Sequence, residues 1–168
     1  MDKWVLITGG TKGIGRAVAN CLAKAGYQLI LTYASDTKAA EATCTTLRQA
    51  HGVRVELLRA DITDPRAVDE INAFLRGAER RLDALVLNAG ITCRDPFEQI
   101  QPADWLRVFQ ANVHFPVFLL QRIVDLLNEK GSVVFTGSLM GIEPHSVSLA
   151  YGVTKSAVPA LVQNSVQI

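Results

Sequence analysis

The chain has 168 residues, which is enough for one domain with a single sizeable core. It is 49% hydrophobic and 20% charged, with a formal net charge of +1, so it lacks the basic excess typical of nucleic-acid or anionic-membrane binding. The longest apolar stretch, around Val113 to Leu120, is too short to cross a bilayer.

Short apolar runs alternate with longer helical patterns along the whole chain. Strands are predicted at Trp4–Thr8, Gln28–Tyr33, Val53–Leu58, Ala84–Asn88 and Ser132–Thr136. Helices are predicted over Gly13–Ala25, about Asp36–Ala50, from an N-cap at Asp64 to about Gly77, about Pro102–Leu127, and from Leu149 to the end of the chain.

Strict alternation of strands and helices predicts an α/β fold, a doubly wound parallel sheet of the Rossmann type in one domain spanning residues 1–168. Most strands are continuous apolar runs, as buried parallel strands are. The run Val53-Arg54-Val55-Glu56-Leu57 alternates instead, which is typical of a half-exposed edge strand. A strand order of 3-2-1-4-5 places it at that edge.

Cysteines and histidines show no spacing typical of a metal site, and we expect no metal. The cysteines are interpreted as reduced structural thiols and the histidines as surface or packing residues. No segment resembles a signal peptide, so we expect a cytoplasmic protein. The residues concerned are Cys21, Cys44, Cys93, His51, His114 and His145.

A glycine-rich turn follows the first predicted strand and begins the first helix. Glycine permits positive φ in a tight turn and lets the backbone approach a pyrophosphate, while the helix N-terminus supplies amide donors. This position predicts dinucleotide binding, although such turns also simply join strands to helices. The candidate contacts here are Gly9, Thr11, Lys12, Gly13, Ile14 and Gly15.

The choice between NAD and NADP depends on the end of the second strand. No carboxylate is found there until Asp36, which is better explained as a helix N-cap than as a partner of a ribose 2′-hydroxyl. Lys12 can neutralise a 2′-phosphate and Ser35 can donate to it, which favours NADP. The alternative is that Lys12 is a solvated loop charge.

Tyr151 and Lys155 are four residues apart, so they share one face of the last predicted helix. An ammonium beside a phenol favours the phenolate, and such a pair can exchange a proton nearer neutral pH than a free phenol. Ser138 precedes Tyr151 by thirteen positions. Together with a dinucleotide, these residues indicate hydride transfer coupled to proton transfer.

The ordered set of motifs resembles the short-chain dehydrogenase/reductase family. The matching residues are Thr8-Gly-x-x-x-Gly13-x-Gly15, Asp61, Asn88-Ala89-Gly90, Asn112, Ser138 and Tyr151-x-x-x-Lys155. The loop Thr-Lys-Gly-Ile-Gly-Arg and Tyr33-Ala34-Ser35 are most similar to the 3-oxoacyl-(acyl-carrier-protein) reductases, which implies acyl-carrier-linked substrates and fatty acid biosynthesis. In contrast to the family's usual doubled asparagine, Leu87 precedes Asn88.

The resemblance implies a role for each matching residue. Tyr151 would be the general acid, Lys155 would assist it and bind the nicotinamide ribose, and Ser138 would orient the substrate oxygen. Asp61 would contact the adenine amino group, although a plain loop aspartate is the alternative. Asn88, Ala89 and Gly90 would form the floor beside the adenosine. Family members also imply a homodimer or homotetramer.

Asn112 has a separate argument, because Pro116 has no N–H to donate to the Asn112 carbonyl. The freed carbonyl predicts a kink and a water that reaches Lys155, a relay that the resemblance implies. On this hypothesis Asn112→Ala lowers turnover and leaves coenzyme affinity nearly intact. The alternative is a proline in the first turn of a helix that starts near Phe115.

The chain stops at Ile168, within the last predicted helix, and it lacks the family's last two strands, Pro-Gly turn and substrate lid. We therefore expect a C-terminal truncation, although pairing in a dimer is another way to cover the fifth strand. The leading function is NADPH-dependent reduction of a ketone or 3-oxoacyl substrate. An NAD-dependent alcohol dehydrogenase and a non-catalytic dinucleotide-binding module are the alternatives.

Overall fold

The computed structural model describes residues 2–143 and 148–165. Its five strands form one sheet in which every neighbouring pair is parallel, in the order β3-β2-β1-β4-β5. The predicted fold class and strand order are confirmed. The strands are β1 Trp4–Ile7, β2 Gln28–Tyr33, β3 Val55–Arg59, β4 Leu82–Leu87 and β5 Leu127–Phe135.

Six α-helices lie on the two faces of the sheet, and none in residues 2–143 and 148–165 has the length and apolar composition to cross a membrane. They are α1 Gly13–Lys24, α2 Thr37–His51, α3 Ala67–Gly77, α4 Pro102–Phe109, α5 Phe115–Ile123 and α6 Leu149–Ser165. Short 3-10 turns occupy Phe97–Gln99, Val124–Leu126 and Leu139–Gly141, and a π-helical turn covers Gln110–His114.

Alternate residues of β1 pack into two separate cores. Val5 and Ile7 belong to the core against α1 and α2, whereas Trp4 and Leu6 belong to the core against α3 and α5. All four side chains are 5% exposed or less. This two-sided burial explains the continuous apolar sequence of the central strand, because neither face meets water.

The caps of α2 follow the sequence closely. The Asp36 carboxylate accepts a hydrogen bond of 3.0 Å from the Ala39 amide, so the predicted N-cap is confirmed. Gly52 ends the helix with φ of +67° and donates its N–H to the Arg48 carbonyl at 2.9 Å.

Asp64 was an incorrect choice of N-cap for α3, which begins three residues later at Ala67. The Asp64 carboxylate binds Arg66 instead, accepting from its backbone amide at 2.9 Å and from its guanidinium. These hydrogen bonds from Arg66 lower the pKa of Asp64 to about 2. The local turn therefore precedes the helix rather than capping it.

The two edges of the sheet differ in exposure. In β3 only Val55 is fully buried, and Glu56 is paired with Arg80 at 2.8 Å, as expected of a half-exposed edge strand. In β5 no residue is fully buried, and Val134 is 49% exposed.

The single long helix predicted from Pro102 to Leu127 is wrong. The π-helical turn separates α4 from α5, and Pro116 lies in the first turn of α5, where its missing N–H is tolerated. The helical path ends in the 3-10 turn Val124–Leu126, and β5 begins directly afterwards at Leu127.

Strand β5 therefore starts five residues before the predicted Ser132. Leu127 pairs with Leu82 and Ser132 pairs with Ala84, with an irregularity between the two pairs. The extra residues are held at the start of the strands by Asn128, whose side-chain amide donates to Asp83 at 3.0 Å. Polar residues interrupt the apolar run in this irregular segment, so the sequence pattern does not predict that the strand begins there.

Candidate active site

The turn between β1 and α1 requires glycine for two different reasons. Gly9 and Gly13 have φ of +64° and +50°, a conformation that other residues rarely adopt. A Cβ on Gly15 would overlap the Gly9 carbonyl oxygen and lie 2.7 Å from the Asn88 side-chain nitrogen. The backbone is thus packed too closely for any side chain at Gly15, and the N-terminus of α1 is left uncovered.

Thr8 fixes this turn to the end of β4. Thr8 is part of the glycine-rich motif, but the motif does not predict this role. Its hydroxyl accepts from the backbone amides of Asn88 and Ala89, at 3.0 Å each, and lies 3.3 Å from the Val86 carbonyl to which it donates. The Asn88 side chain returns a bond of 3.0 Å to the Thr8 carbonyl. Asn88 therefore shapes the turn as well as facing the cleft beside it.

A cavity of about 270 Å³ opens where β1, β2, β3 and β4 end. Its wall contains five of the predicted coenzyme residues, namely Gly9, Asp61, Asn88, Ala89 and Gly90. This is the end of a doubly wound sheet where ligands bind. The small residues in its wall and the glycine turn beside it fit a dinucleotide, because a Cβ would fill space that the backbone approach requires.

Asp61 has contacts that agree with both of its interpretations. It lines this cavity, and one oxygen, Oδ1, accepts from the backbone amide and hydroxyl of Thr63 at 2.9 and 2.8 Å. Those bonds fix the carboxylate in a turn after β3.

Lys12 reaches the end of β2, where its ammonium forms an exposed ion pair with Asp36. The hydrogen bond from Lys12 is the main cause that lowers the pKa of Asp36, and the Ala39 amide adds to it. Ser35 is exposed and does not line the cavity, although it lies next to Asp36. Lys12 is thus neither isolated nor simply solvated.

Thr11 and Ile14 occupy opposite environments in the loop. Thr11 is buried, and its carbonyl accepts a bond of 3.0 Å from the Thr43 hydroxyl of α2. Ile14 is 66% exposed in the first turn of α1. Thr11 therefore anchors the loop, while Ile14 presents an exposed apolar surface at the start of α1.

On α6, Lys155 is buried although it carries an ammonium. Its Nζ donates to the Thr136 carbonyl at 2.7 Å and lies 5.6 Å from the centre of the Tyr151 ring. Burial lowers the pKa of Lys155 from its ordinary value. The predicted pairing of the two side chains on one helix face is present, with the end of β5 holding the amine.

Ser138 follows β5 and caps the 3-10 turn Leu139–Gly141. Its hydroxyl oxygen accepts from the Met140 amide at 3.2 Å, and the same hydroxyl keeps an O–H that can donate. The turn packs directly on α6, where the Ser156 hydroxyl donates to the Gly141 carbonyl at 2.9 Å. Ser138 is thereby brought beside the helix that carries Tyr151.

The Asn112 side chain is buried and connects three segments. It exchanges two hydrogen bonds of 2.9 Å with the backbone of Ile91, and its Nδ2 also donates to the Thr154 hydroxyl at 3.0 Å. A Cβ on Gly90 would lie 3.2 Å from Asn112 Oδ1 and 3.6 Å from Lys155 Nζ. Gly90, Asn112 and Lys155 therefore meet at one place.

The helix irregularity predicted near Asn112 is present as a π-helical turn, in which the Phe115 amide donates to the Gln110 carbonyl. Such turns are frequent at functional sites. The alternative of a proline in the first turn of a helix at Phe115 also holds, because α5 starts there.

A second cavity, of about 560 Å³, lies beside Tyr151. It is lined by Gly90, Ile91, Thr92, Arg94, Met140, Ser148 and Tyr151. Gly90 and Ile91 line both this cavity and the one at the strand ends, so the two spaces are adjacent. Arg94 and Ser148 had no motif to identify them, because the segments that carry them are irregular.

The cysteines are unpaired, with Cys44 buried, Cys93 half-buried and Cys21 exposed. Of the histidines, His51 bonds to Asn20 at 2.9 Å and His114 lies edge-on to Phe118. His145 and the Pro144-His145 stretch considered for substrate contact lie outside the described residues, as do the last three residues of the predicted final helix.

Comparison with known proteins identifies the family. The profile described as short chain dehydrogenase matches residues 3–167. The chain belongs to the short-chain dehydrogenase family, so the resemblance inferred from its motifs is confirmed.

Individual relatives are similar along nearly the whole chain. Sulfoacetaldehyde reductase 2 of Chromohalobacter salexigens is 35% identical, with 98% of this chain and 66% of the relative covered. The 3-oxoacyl-(acyl-carrier-protein) reductase FabG of Staphylococcus aureus is 29% identical, with 98% of this chain and 68% of the relative covered. The chain thus spans about two thirds of the length of these relatives.

Among solved structures, a short chain dehydrogenase from Burkholderia cenocepacia in complex with NADP superposes with a TM-score of 0.90. It is 30% identical, and the match covers 97% of this chain and 66% of that one. The neighbour's bound coenzyme is consistent with a dinucleotide cleft at the glycine turn.

Proposed function

We propose that the protein is an NADPH-dependent carbonyl reductase that reduces a ketone or 3-oxoacyl substrate. The observation that carries this proposal is the adjacency of the two cavities through Gly90 and Ile91, with Tyr151 in the wall of the second. A dinucleotide bound at the glycine turn supplies the hydride. A carbonyl in the second cavity then lies between the coenzyme side and a phenol that can protonate it.

Tyr151 acts as the general acid in this proposal, and its hydroxyl gives a proton to the carbonyl oxygen. Lys155 stands 5.6 Å from the ring centre and brings a positive charge into a largely buried site. Its amine is fixed by the Thr136 carbonyl, so the charge is already oriented before substrate enters. Burial lowers the pKa of Lys155, which brings its proton nearer to exchange at working pH.

Ser138 and Asn112 complete the proposed machinery. The Met140 amide occupies one lone pair of the Ser138 hydroxyl, and the O–H of that hydroxyl would share the developing negative charge on the substrate oxygen. Asn112 lies against Gly90 beside Lys155. Support of Gly90 and Ile91 is its first proposed role, and a water relay to Lys155 beside the π-helical turn is the alternative.

The preference for NADPH rests on Lys12 at the end of β2. Its ammonium lies near the end of β2, where a ribose 2′-phosphate would lie, and Ser35 is next to its partner Asp36 in the sequence. The Arg59 guanidinium, which donates to the Ala34 carbonyl at 3.0 Å, is a second cation at this end of β2. Asp36 favours the alternative, an NAD-dependent alcohol dehydrogenase, because its carboxylate neutralises Lys12 and repels a phosphate. Thermal shifts measured with NADPH and NADH separate the two, and a larger shift with NADH would overturn the preference.

The activity is tested by following NADPH oxidation with methyl acetoacetate, acetoacetyl thioesters and sulfoacetaldehyde. We expect reduction of at least one carbonyl, and loss of turnover by about 10²-fold or more in Tyr151→Phe with coenzyme binding retained. Coenzyme binding without turnover of any carbonyl would favour the non-catalytic dinucleotide-binding module instead. Turnover that is unchanged in Tyr151→Phe would refute the role of the phenol.

We also propose a cytoplasmic homodimer or homotetramer that binds neither nucleic acid nor membrane. Apolar side chains are exposed on the helices that follow β4, including Leu106, Phe118 and Val162 at 65%, 50% and 42%. Sedimentation equilibrium of the purified protein tests this, and a monomer at micromolar concentration would contradict it.

A further inference from the structure

The cavity beside Tyr151 contains one positively charged side chain among the lining residues that the structure describes. That residue is Arg94, and the others are apolar or uncharged, including Ile91, Thr92 and Met140. An arginine in such a wall presents a planar fork of donors that matches a carboxylate or sulfonate. Arg94 is exposed, and it lines the same space that the proposed function assigns to the carbonyl substrate.

Arg94 is not neutralised by an ion pair within residues 2–143 and 148–165. The six ion pairs of that part of the chain involve other residues. The neighbouring Asp95 carboxylate accepts from the Cys93 thiol at 2.7 Å rather than from the guanidinium. An arginine with this freedom can bind an anion without first giving up a protein partner.

The backbone that carries Arg94 is nevertheless held in place. The buried Ser148 hydroxyl donates to the Cys93 carbonyl at 2.5 Å and lies 2.7 Å from the Thr92 hydroxyl. Ser148 precedes α6, so these bonds attach the Arg94 segment to the helix that carries Tyr151. The backbone next to Arg94 and the helix that carries the phenol are thus joined beside one cavity by a short chain of hydrogen bonds.

We propose that Arg94 selects substrates with an anionic group close to the carbonyl, that is, small oxo-carboxylates or oxo-sulfonates. This inference rests on the proposed reductase function and specifies its substrate class. Arg94 binds the anion, while Tyr151 faces the carbonyl at the other side of the same cavity. Arg94 takes no part in proton transfer, so its effect falls on substrate binding.

Acetoacetate and methyl acetoacetate give a matched test, because they share the ketone and differ in the charge next to it. In the wild type we expect a lower KM for acetoacetate than for the ester. Arg94→Gln should raise the KM for acetoacetate about tenfold or more, while kcat and the KM for the ester stay nearly constant. Arg94→Lys should restore part of the difference. Arg107→Gln, which removes an exposed arginine of α4 outside the cavity wall, is the control and should change neither KM.

Ligand-observed NMR measures how tightly both compounds bind to the NADPH complex of Tyr151→Phe. This measurement tests the anion site separately from the proposed reduction. Tighter binding of acetoacetate that Arg94→Gln abolishes supports the anion site even if the wild-type chain reduces neither compound. Reduction of both compounds with equal KM, unaffected at Arg94, overturns the inference and leaves the reductase intact. If neither compound binds or reacts, the inference is overturned, and the reductase function then depends on the acetoacetyl thioesters and sulfoacetaldehyde. Matched melting temperatures of wild type and Arg94→Gln exclude misfolding.

Discussion

The two halves of the molecule build their parts of the site in different ways. In the half formed by β1–β3, α1 and α2, positions are set by close approach of backbone segments, as between Gly15 and Gly9. In the half formed by β4, β5 and α4–α6, positions are set by side chains that bind backbone, as Asn112 binds Ile91 and Lys155 binds Thr136. The first half is regular, whereas the second contains a π-helical turn and an irregular strand pair.

This difference means that the halves are sensitive to opposite changes. In the first half, called here the coenzyme half, an added Cβ would lie 2.7 Å from the Leu31 side chain at Gly10 and 2.2 Å from the Gly9 carbonyl oxygen at Gly15, so small-to-large substitutions at these two positions damage it. The catalytic half depends on polar groups that satisfy one another in buried positions, so removal of a single partner damages it.

Gly15→Ala is the sharpest way to break the coenzyme half. The new Cβ would overlap the Gly9 carbonyl and press on Asn88, so the turn must move and the N-terminus of α1 must move with it. We expect NADPH affinity, measured by fluorescence titration, to fall by about 100-fold or more, corresponding to about 3 kcal/mol.

Gly77→Ala is the matched control, because a Cβ there would meet nothing within 4 Å. This glycine ends α3, where alanine has the higher helix propensity, so stability should stay constant or rise by about 0.5–1 kcal/mol. Coenzyme affinity that is equal in Gly15→Ala and wild type would contradict close backbone packing as the basis of this half.

Asn112→Ala is the corresponding change in the catalytic half. It removes three hydrogen bonds and leaves the Ile91 amide and carbonyl without their side-chain partner in a largely buried region. We expect the free energy of unfolding, measured in urea, to fall by about 1–3 kcal/mol. Asn164→Ala, on an exposed part of α6, should change it by less than about 0.5 kcal/mol.

The same variant sharpens the relay hypothesis. The Asn112 side chain supports Gly90 and Ile91, which line both cavities, so we expect coenzyme affinity to weaken as well as turnover. The relay hypothesis, which depends on the Asn112 backbone carbonyl, predicts instead that coenzyme affinity stays nearly intact. A loss of turnover with unchanged coenzyme affinity and unchanged stability would instead assign Asn112 to the relay and not to the support of Gly90.

Sequence patterns predicted the first half better than the second for a physical reason. Glycines at positive φ and alternating burial are local properties, and they identified the turn at Gly9, the edge strand β3 and the cap at Asp36. The bonds of Ser148 to Cys93 join residues that are distant in sequence, and no local pattern encodes them. The start of β5 at Leu127 was missed because polar residues interrupt its apolar run.

The buried amine of Lys155 makes the stability of the folded chain depend on pH, which a neutral replacement removes. Because burial lowers its folded-state pKa below the ordinary 10.5, the unfolded chain binds more protons between those two values, and stability rises with pH across that window. Below the folded-state pKa the penalty of burying the ammonium is fully present, and it is lost as pH rises through that pKa.

We therefore expect the unfolding free energy of wild type, relative to Lys155→Met, to increase as the pH is raised from 7 towards 10.5. Each unit of pKa depression corresponds to about 1.4 kcal/mol between the two ends of the window. Urea unfolding of both proteins at several pH values gives this difference directly. A difference that is independent of pH would show that the amine is not desolvated in the folded chain.

Asp36→Asn has the smallest expected effect and tests the exposed electrostatics at the edge of the coenzyme half. Asparagine is as good an N-cap as aspartate, so α2 keeps its cap, while Lys12 loses its ion-pair partner. If Lys12 faces a 2′-phosphate, its released charge should tighten NADPH by about three- to tenfold at low salt and leave NADH almost unchanged. Because both side chains are exposed, the gain should shrink at 0.5 M salt, where the Debye length falls to about 4 Å.

Lys12→Gln should act in the opposite direction and weaken NADPH binding. Equal responses of NADPH and NADH to both variants would place the 2′-position away from Lys12, and the preference of this half for NADP would then need another cation.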